Sequence, residues 1–240
     1  MTDPRKPAFD GVRAVCEKNP FNDPGNVHAF HNLLDAFGAR RETPPPIGHN
    51  GPPPEDGLTP RIVLEILEHE GIVLEAYRDS KKVLTWGVGV TSASGHRVDR
   101  YVGKPQSMER VLEIYLWLLR TKYLPAVRAA FAGIDLAEHE LGAALSFHWN
   151  TGAIGRAEWV QSFVAGNRAA AHRQFMNWSS PRAIIGRRKA ERALFFDGVW
   201  TGDGFVTVYK RVRKPSLVPD WGSAVQVDVR EALVKAMEED

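Results

Sequence analysis

The chain has one cysteine, Cys16, in 240 residues, so no intramolecular disulfide can staple the fold. Stability must come from a packed core, and this usage fits synthesis in a reducing cytosol. No apolar run approaches the roughly 18 residues that a membrane helix needs. The opening MTDPRKPAFDG lacks the apolar centre of a secretory leader, so the protein is expected to begin life in the cytoplasm. An excess of one charge is also missing. Against 31 basic side chains stand 29 acidic ones, and a net charge of +2 builds no strong overall field for nucleic acid. There is no HExxH spacing, no Gly-x-Ser-x-Gly elbow and no Walker loop, so no metal and no organic cofactor is implied. What remains, 43% hydrophobic and 25% charged, suits a globular protein with a real core.

The clearest boundary is 42–57, ETPPPIGHNGPPPEDG. Its six prolines and three glycines support neither a helix nor an interior strand, and it reads as an extended linker. Ahead of it, 1–41 is an N-terminal helical segment. Phe9, Val12 and Val15 share one face, and Val27, Phe30, Leu33, Leu34 and Phe37 mark a second stripe that Gly38 stops. The pair reads as a helical hairpin packed on the main domain or on a partner. His28 and His31 are spaced for a metal but read as surface or satisfied core.

Thr59 as N-cap and Pro60 at the first helical position open the main domain, 58–198. Ser107 is expected to cap a long helix with the stripe Val111, Ile114, Tyr115, Leu118 and Leu119, which Pro125 limits or kinks. Asp135 and Glu138 form a capping-box-like start for LAEHELGAALSFHWN. Further helices are predicted at 156–165, 167–177 and 187–197. In the C-terminal extension, 199–240, VWTGDGFVTVY reads as a hairpin around Gly202-Asp203-Gly204, and 226–238 as an amphipathic helix. The class is α+β, mostly helical with a small antiparallel sheet.

The chemistry gathers in Glu70–Thr91. Glu70 arrives about three turns into its helix, and Gly71 reads as the stop. A strand-like run, Asp79, a basic turn and the hairpin-like 83–91 follow. Glu70, Asp79 and Thr85 thus issue from three successive local structures able to fold back on one another. Two carboxylates and a hydroxyl are what acid/base hydrolysis of a glycosidic bond requires. The apolar helix before Glu70 favours its protonated form. Arg78, Ser80, Lys81 and Lys82 favour an ionised Asp79. Trp86, inside this stretch, is either a sugar-stacking face or a core residue behind the sheet.

Glu70-Gly71, Tyr77-Arg78-Asp79 and Thr85-Trp86-Gly87-Val88-Gly89 resemble the signature of the phage-type lysozymes, the endolysins grouped as glycoside hydrolase family 24. With each residue type at about 5% usage, a chance Asp and Thr at both offsets is about one in 400 per Glu. Ser146-Phe147-His148-Trp149-Asn150-Thr151-Gly152 is similar to that family's Ser-Phe-x-x-Asn-x-Gly helix end. Arg187-Arg188-Lys189-Ala190-Glu191 is similar to its Arg-Arg-x-x-Glu helix. The resemblance covers about 58–198. Val90, where the family often has a polar residue, and Ala183-Ile184, where Gly-Leu is usual, depart from it.

The resemblance implies a lysozyme-like domain with a small sheet lobe beside an active-site cleft. It also implies an N-acetylmuramidase acting on bacterial peptidoglycan. Glu70 would be the general acid, Asp79 would position or activate a water or attack directly, and Thr85 would hold the water, with an inverting outcome favoured. Asn150 would bond sugar or cap its own helix. Arg187 and Arg188 would meet muramyl-peptide carboxylates or pair with Glu191. The expected setting is a monomer with no nucleic-acid partner, held in a host bacterial cytoplasm until release and then acting on the wall. The rivals are a lytic transglycosylase, which needs one acid only, and a non-catalytic wall-binding protein on the same scaffold.

Overall fold

The computed structural model describes residues 6–16, 30 and 54–238. Helix α1 (Lys6–Val15) matches the first apolar stripe. The second stripe other than Phe30, the His28/His31 pair and the linker up to residue 53 lie outside the described residues. The remainder divides into two compact units. One is built from Gly71–Val111 and Phe205–Val229, the other from the described residues between 54 and Glu70, Leu112–Gly204 and the C-terminal helix. Among the described residues no helix is long and apolar enough to cross a membrane.

The helical unit begins with α2 (Pro60–Glu68). The Thr59 hydroxyl accepts the Ile62 N–H at 3.3 Å, and Pro60 sits where no N–H is needed. Ile62, Val63, Ile66 and Leu67 are buried. The helix ends at Glu68 with His69 still right-handed, so Gly71 does not stop it. Helix α3 (Met108–Leu118) starts on Ser107, whose hydroxyl accepts the Arg110 N–H at 3.3 Å. It widens into a π turn over Leu119–Tyr123 and resumes as α4 (Leu124–Ala130). Pro125 accounts for the break, because it cannot donate to the carbonyl four residues back, and the wider turn absorbs the mismatch.

Helix α5 (Glu138–Thr151) starts on Ala137, not on the Asp135/Glu138 box. Glu140 accepts the Ala137 N–H at 3.1 Å, while Glu138 takes the Thr59 hydroxyl proton at 2.6 Å. Ala137 has no side-chain oxygen to return the bond, so only half a capping box forms. Gly152, at φ 62°, ends this helix in the left-handed region that glycine tolerates. Helices α6 (Glu158–Val164), α7 (Arg168–Phe175) and α8 (Ile185–Asp197) fall where predicted. The core they share is aromatic: Phe147 and Phe195 each meet Trp159 edge-on, with centroids 5.2 and 5.0 Å away.

The other unit is a five-stranded sheet in the order β3-β2-β1-β4-β7, with β1 Gly71–Arg78, β2 Leu84–Gly87, β3 Val90–Thr91, β4 Phe205–Tyr209 and β7 Ala224–Asp228. Strands β1, β2 and β3 form the expected antiparallel part, with Tyr77 opposite Thr85 and Thr85 opposite Thr91. The sheet as a whole is mixed, because β4 runs parallel to β1, pairing Thr207 with Gly71 and Tyr209 with Val73. A short hairpin, β5 (Val212–Arg213) and β6 (Val218–Pro219), lies between β4 and β7 in sequence.

Two expectations for the C-terminal region are corrected. Residues 199–204 form no strand, because buried carboxylates of α2 take their N–H groups. Glu65 accepts from Thr201 N at 2.9 Å, Gly202 N at 2.8 Å and the Thr201 hydroxyl at 2.7 Å, and Glu68 accepts from Gly204 N at 2.5 Å. Those donors are unavailable to a cross-strand partner. The partner of β4 is instead β7, whose Ala-Val-Gln-Val-Asp has a strand's alternation, so α9 begins only at Arg230 and runs to Glu238.

Candidate active site

Glu70 lies two residues beyond the end of α2 and belongs to the helical unit. The Nη1 of Arg187, on α8, donates to Glu70 Oε1 at 2.5 Å. The Glu70 side chain keeps 21% exposure and that of Arg187 10%, so the pair is largely withdrawn from water. Burial raises the Glu70 pKa above the ordinary carboxylate value, outweighing Arg187, which favours the charged form, while Glu191 adds to the rise. Arg187 stays cationic. Burial works against its charge, and the Glu70 and Glu191 carboxylates hold its proton above the ordinary arginine value. Burial first, then the charge of Glu70, pushes the Tyr115 and Tyr123 hydroxyls up as well.

Arg187 is anchored from behind. Its Nε donates to Glu191 Oε1 at 2.8 Å, and its Nη2 donates to the Ser146 carbonyl at 3.1 Å and hydroxyl oxygen at 3.2 Å. Glu191 is 1% exposed and takes three donors: Arg187, the Ser146 hydroxyl at 2.6 Å, and Arg188. Arg188 has no exposed surface. It donates to Asn150 Oδ1 at 2.6 Å and the Trp178 carbonyl at 3.2 Å, and its guanidinium lies 4.7 Å from the Phe147 ring centroid. Four expected site residues, Glu70, Asn150, Arg187 and Arg188, thus meet in one hydrogen-bonded network. Its hinge pieces, Ser146 and Glu191, sit inside the two helix motifs; the sequence offers Glu191 as a partner for the arginines but gives no signal for the part Ser146 plays. Residue type alone does not reveal that a glutamate will be fully buried between two arginines. Asn150 is not the cap of α5; Gly152 is. Both arginines take the Glu191 pairing weighed for them.

Asp79 and Thr85 belong to the sheet unit. Asp79 closes the turn after β1: its N–H donates to the Val83 carbonyl at 3.0 Å and its carbonyl accepts from Lys82 N at 2.9 Å. Lys82, at φ 63°, makes the left-handed step that this turn needs. The carboxylate is set by backbone, with Oδ1 accepting from Lys81 N at 2.9 Å and Val83 N at 2.8 Å. The Thr85 hydroxyl donates to the Val83 carbonyl at 3.1 Å, so Val83 ties both side chains to one turn. Trp86 is fully buried, donates its indole N–H to the Leu74 carbonyl at 3.0 Å and packs on Tyr101 at 4.2 Å between centroids. This packing favours the core role over a sugar platform. Among the described residues no group of three His, Cys, Asp or Glu side chains is arranged to hold a metal ion.

The helical unit holds a desolvated carboxyl whose pKa is raised by burial, and the sheet unit holds a carboxylate fixed by backbone donors in a half-exposed turn. The model of the phage lysozyme family matches residues 67–191, just over half of the chain, and the chain belongs to that family. It is a peptidoglycan hydrolase of the lysozyme type. Among solved structures it is similar to the endolysin from Escherichia coli O157:H7 phage FAHEc1, with 23% identity, a TM-score of 0.49, and coverage of 64% of this chain and 98% of that one. A P22 lysozyme mutant gives 24% identity, a TM-score of 0.47 and coverage of 57% and 97%. The muramidase domain of SpmX from Asticaccaulis excentricus gives 24%, 0.46, and 56% and 94%. No curated protein matches the chain.

Proposed function

We propose that this protein is an N-acetylmuramidase that cleaves the β-1,4 bond between N-acetylmuramic acid and N-acetylglucosamine, and that it serves as an endolysin in host lysis. The observation that carries the reading is Glu70, a carboxyl that Arg187 fixes in position and whose pKa burial raises. In this role Glu70 protonates the glycosidic oxygen as the bond to the anomeric carbon breaks. Asp79, with Oδ1 occupied by two backbone donors, accepts a proton from water through its remaining oxygen. Thr85 gives its own proton to Val83 and accepts one from the same water. Attack by that water on the face opposite the leaving group inverts the anomeric carbon. Arg187 acts as a positioning residue through Glu70, and Arg188, wholly buried, supports it from behind. Membership of the phage lysozyme family supports the bond and the lytic role.

The test is digestion of purified peptidoglycan by wild type and by Glu70→Gln, with products read by mass. Muropeptides with reducing ends from wild type, and a loss of about 10²–10⁴-fold in the variant, are expected. Products ending in 1,6-anhydromuramic acid would make the protein a transglycosylase. No products from a folded, wall-bound wild type would leave only a binding role.

A further inference from the structure

We propose that the β5–β6 hairpin and the turn carrying Asp79 form a cationic surface that engages the carboxylates of the peptide stems on the peptidoglycan strand, an inference that rests on the muramidase reading. The hairpin is docked on the last residues of β1. Arg78 donates its N–H to the Leu217 carbonyl at 2.7 Å, and Lys214 pairs with Glu75. Three basic residues, Arg78, Lys81 and Lys82, lie on the β1 end and turn, and Lys210, Arg211 and Arg213 lie on the hairpin; all six are exposed. The only acids in these two segments besides the paired Glu75 are Asp79 and Asp220, so the surface carries a net +4 while the whole chain carries +2. The rest of the molecule is therefore net acidic, and a net positive surface lies beside Asp79.

Uncharged sugar rings give such a surface no electrostatic advantage. The peptides that branch from muramic acid end in carboxylates, and they leave the strand next to the bond being cut. The hairpin already shows spacing for that group, because Arg211 and Arg213 each donate to a different oxygen of Asp220 at 3.0 Å. It lies beyond the family-matched residues 67–191.

The test compares kcat/KM on intact peptidoglycan and on the same glycan after an amidase has removed its peptides, using full-length wild type and the triple variant Lys210→Gln, Arg211→Gln, Arg213→Gln. Thermal unfolding checks that the variant is folded, and Lys210→Glu alone serves as a second probe. Wild type should prefer the peptide-bearing wall by about tenfold at low salt, the size three exposed ion pairs reach together, and the preference should shrink as salt rises. The triple variant should lose most of that preference, and Lys210→Glu part of it. Equal preference in wild type and variants, with both substrates cut, overturns this inference alone. Duplex DNA that competes with the wall for wild type but not for the triple variant would reassign the surface to nucleic acid and also overturn it. Failure of wild type to cut either substrate removes the muramidase reading, and this inference with it.

Discussion

Arg187 Nη1 donates to Glu70 Oε1 at 2.5 Å, placing a fixed positive charge on the very carboxyl whose proton is needed. A guanidinium at that distance favours the carboxylate, and burial wins over it. The two effects together set how far the Glu70 pKa rises above the ordinary carboxylate value. Replacing Arg187 by Gln removes the positive charge that lowers the pKa and leaves the burial that raises it. The alkaline limb of the kcat/KM profile should therefore move to higher pH, while kcat falls because the carboxyl is less well placed. An alkaline limb that stays put, or moves down, would separate Glu70 from the titration that controls activity.

Glu68 tests the same physics without catalysis. Burial and then the neighbouring Asp203 raise its pKa well above the ordinary value of 4.5, although Gly204 N–H bonds its Oε1. The folded pKa lies above the unfolded one, so its contribution to stability is fully present below about pH 4.5 and is lost as pH rises through the folded value. Glu68→Gln keeps an acceptor for Gly204 and carries no charge. It should unfold about 2–4 °C higher than wild type at pH 7, a shift worth roughly 1 kcal/mol, with the gain vanishing toward pH 4. A variant less stable than wild type across that whole range would show that the ionised form is the favoured one.

Arg188 has no exposed surface and bridges Glu191 and Asn150. Its replacement by Met fills similar space but strips Glu191 of one charged donor and leaves Asn150 Oδ1 without Arg188. Removing one partner of a buried pair costs roughly 3–5 kcal/mol, and a urea titration should show a loss of that order with little change in slope. A loss below about 1 kcal/mol would mean that the network is not holding α5 and α8 together.

Much of this was legible from local signals. Thr59-Pro60 fixed the start of α2, Pro125 the break after α3, and the Glu-Gly, Tyr-x-Asp and Thr-x-Gly-x-Gly spacing marked the family. What escaped depended on partners distant in sequence. Residues 199–204 look like half a hairpin until Glu65 and Glu68, more than 130 residues earlier, take their N–H groups. Residues 226–228 read as the front of a helix until β4 supplies the other side of their ladder. Gln226 is a good helix former, and only pairing overrides that tendency.

Gly71 shows how a correct motif can hide its reason. In the sequence it reads as a helix stop, yet the helix has already ended, and Gly71 is the first residue of β1, paired with Thr207 of the parallel strand. A Cβ added there would lie 2.9 Å from the Tyr209 ring, closer than two carbons can sit. Glycine is needed because β4, outside the family-matched span, presses an aromatic ring onto the residue after Glu70. Gly71→Ala should therefore cost about 1–3 kcal/mol by overpacking and lower kcat through displacement of Glu70. Tyr209→Leu should restore part of both in the double variant, a coupling of about 1 kcal/mol in the cycle. Strict additivity of the two substitutions in stability would show that the ring is not what demands glycine at this position.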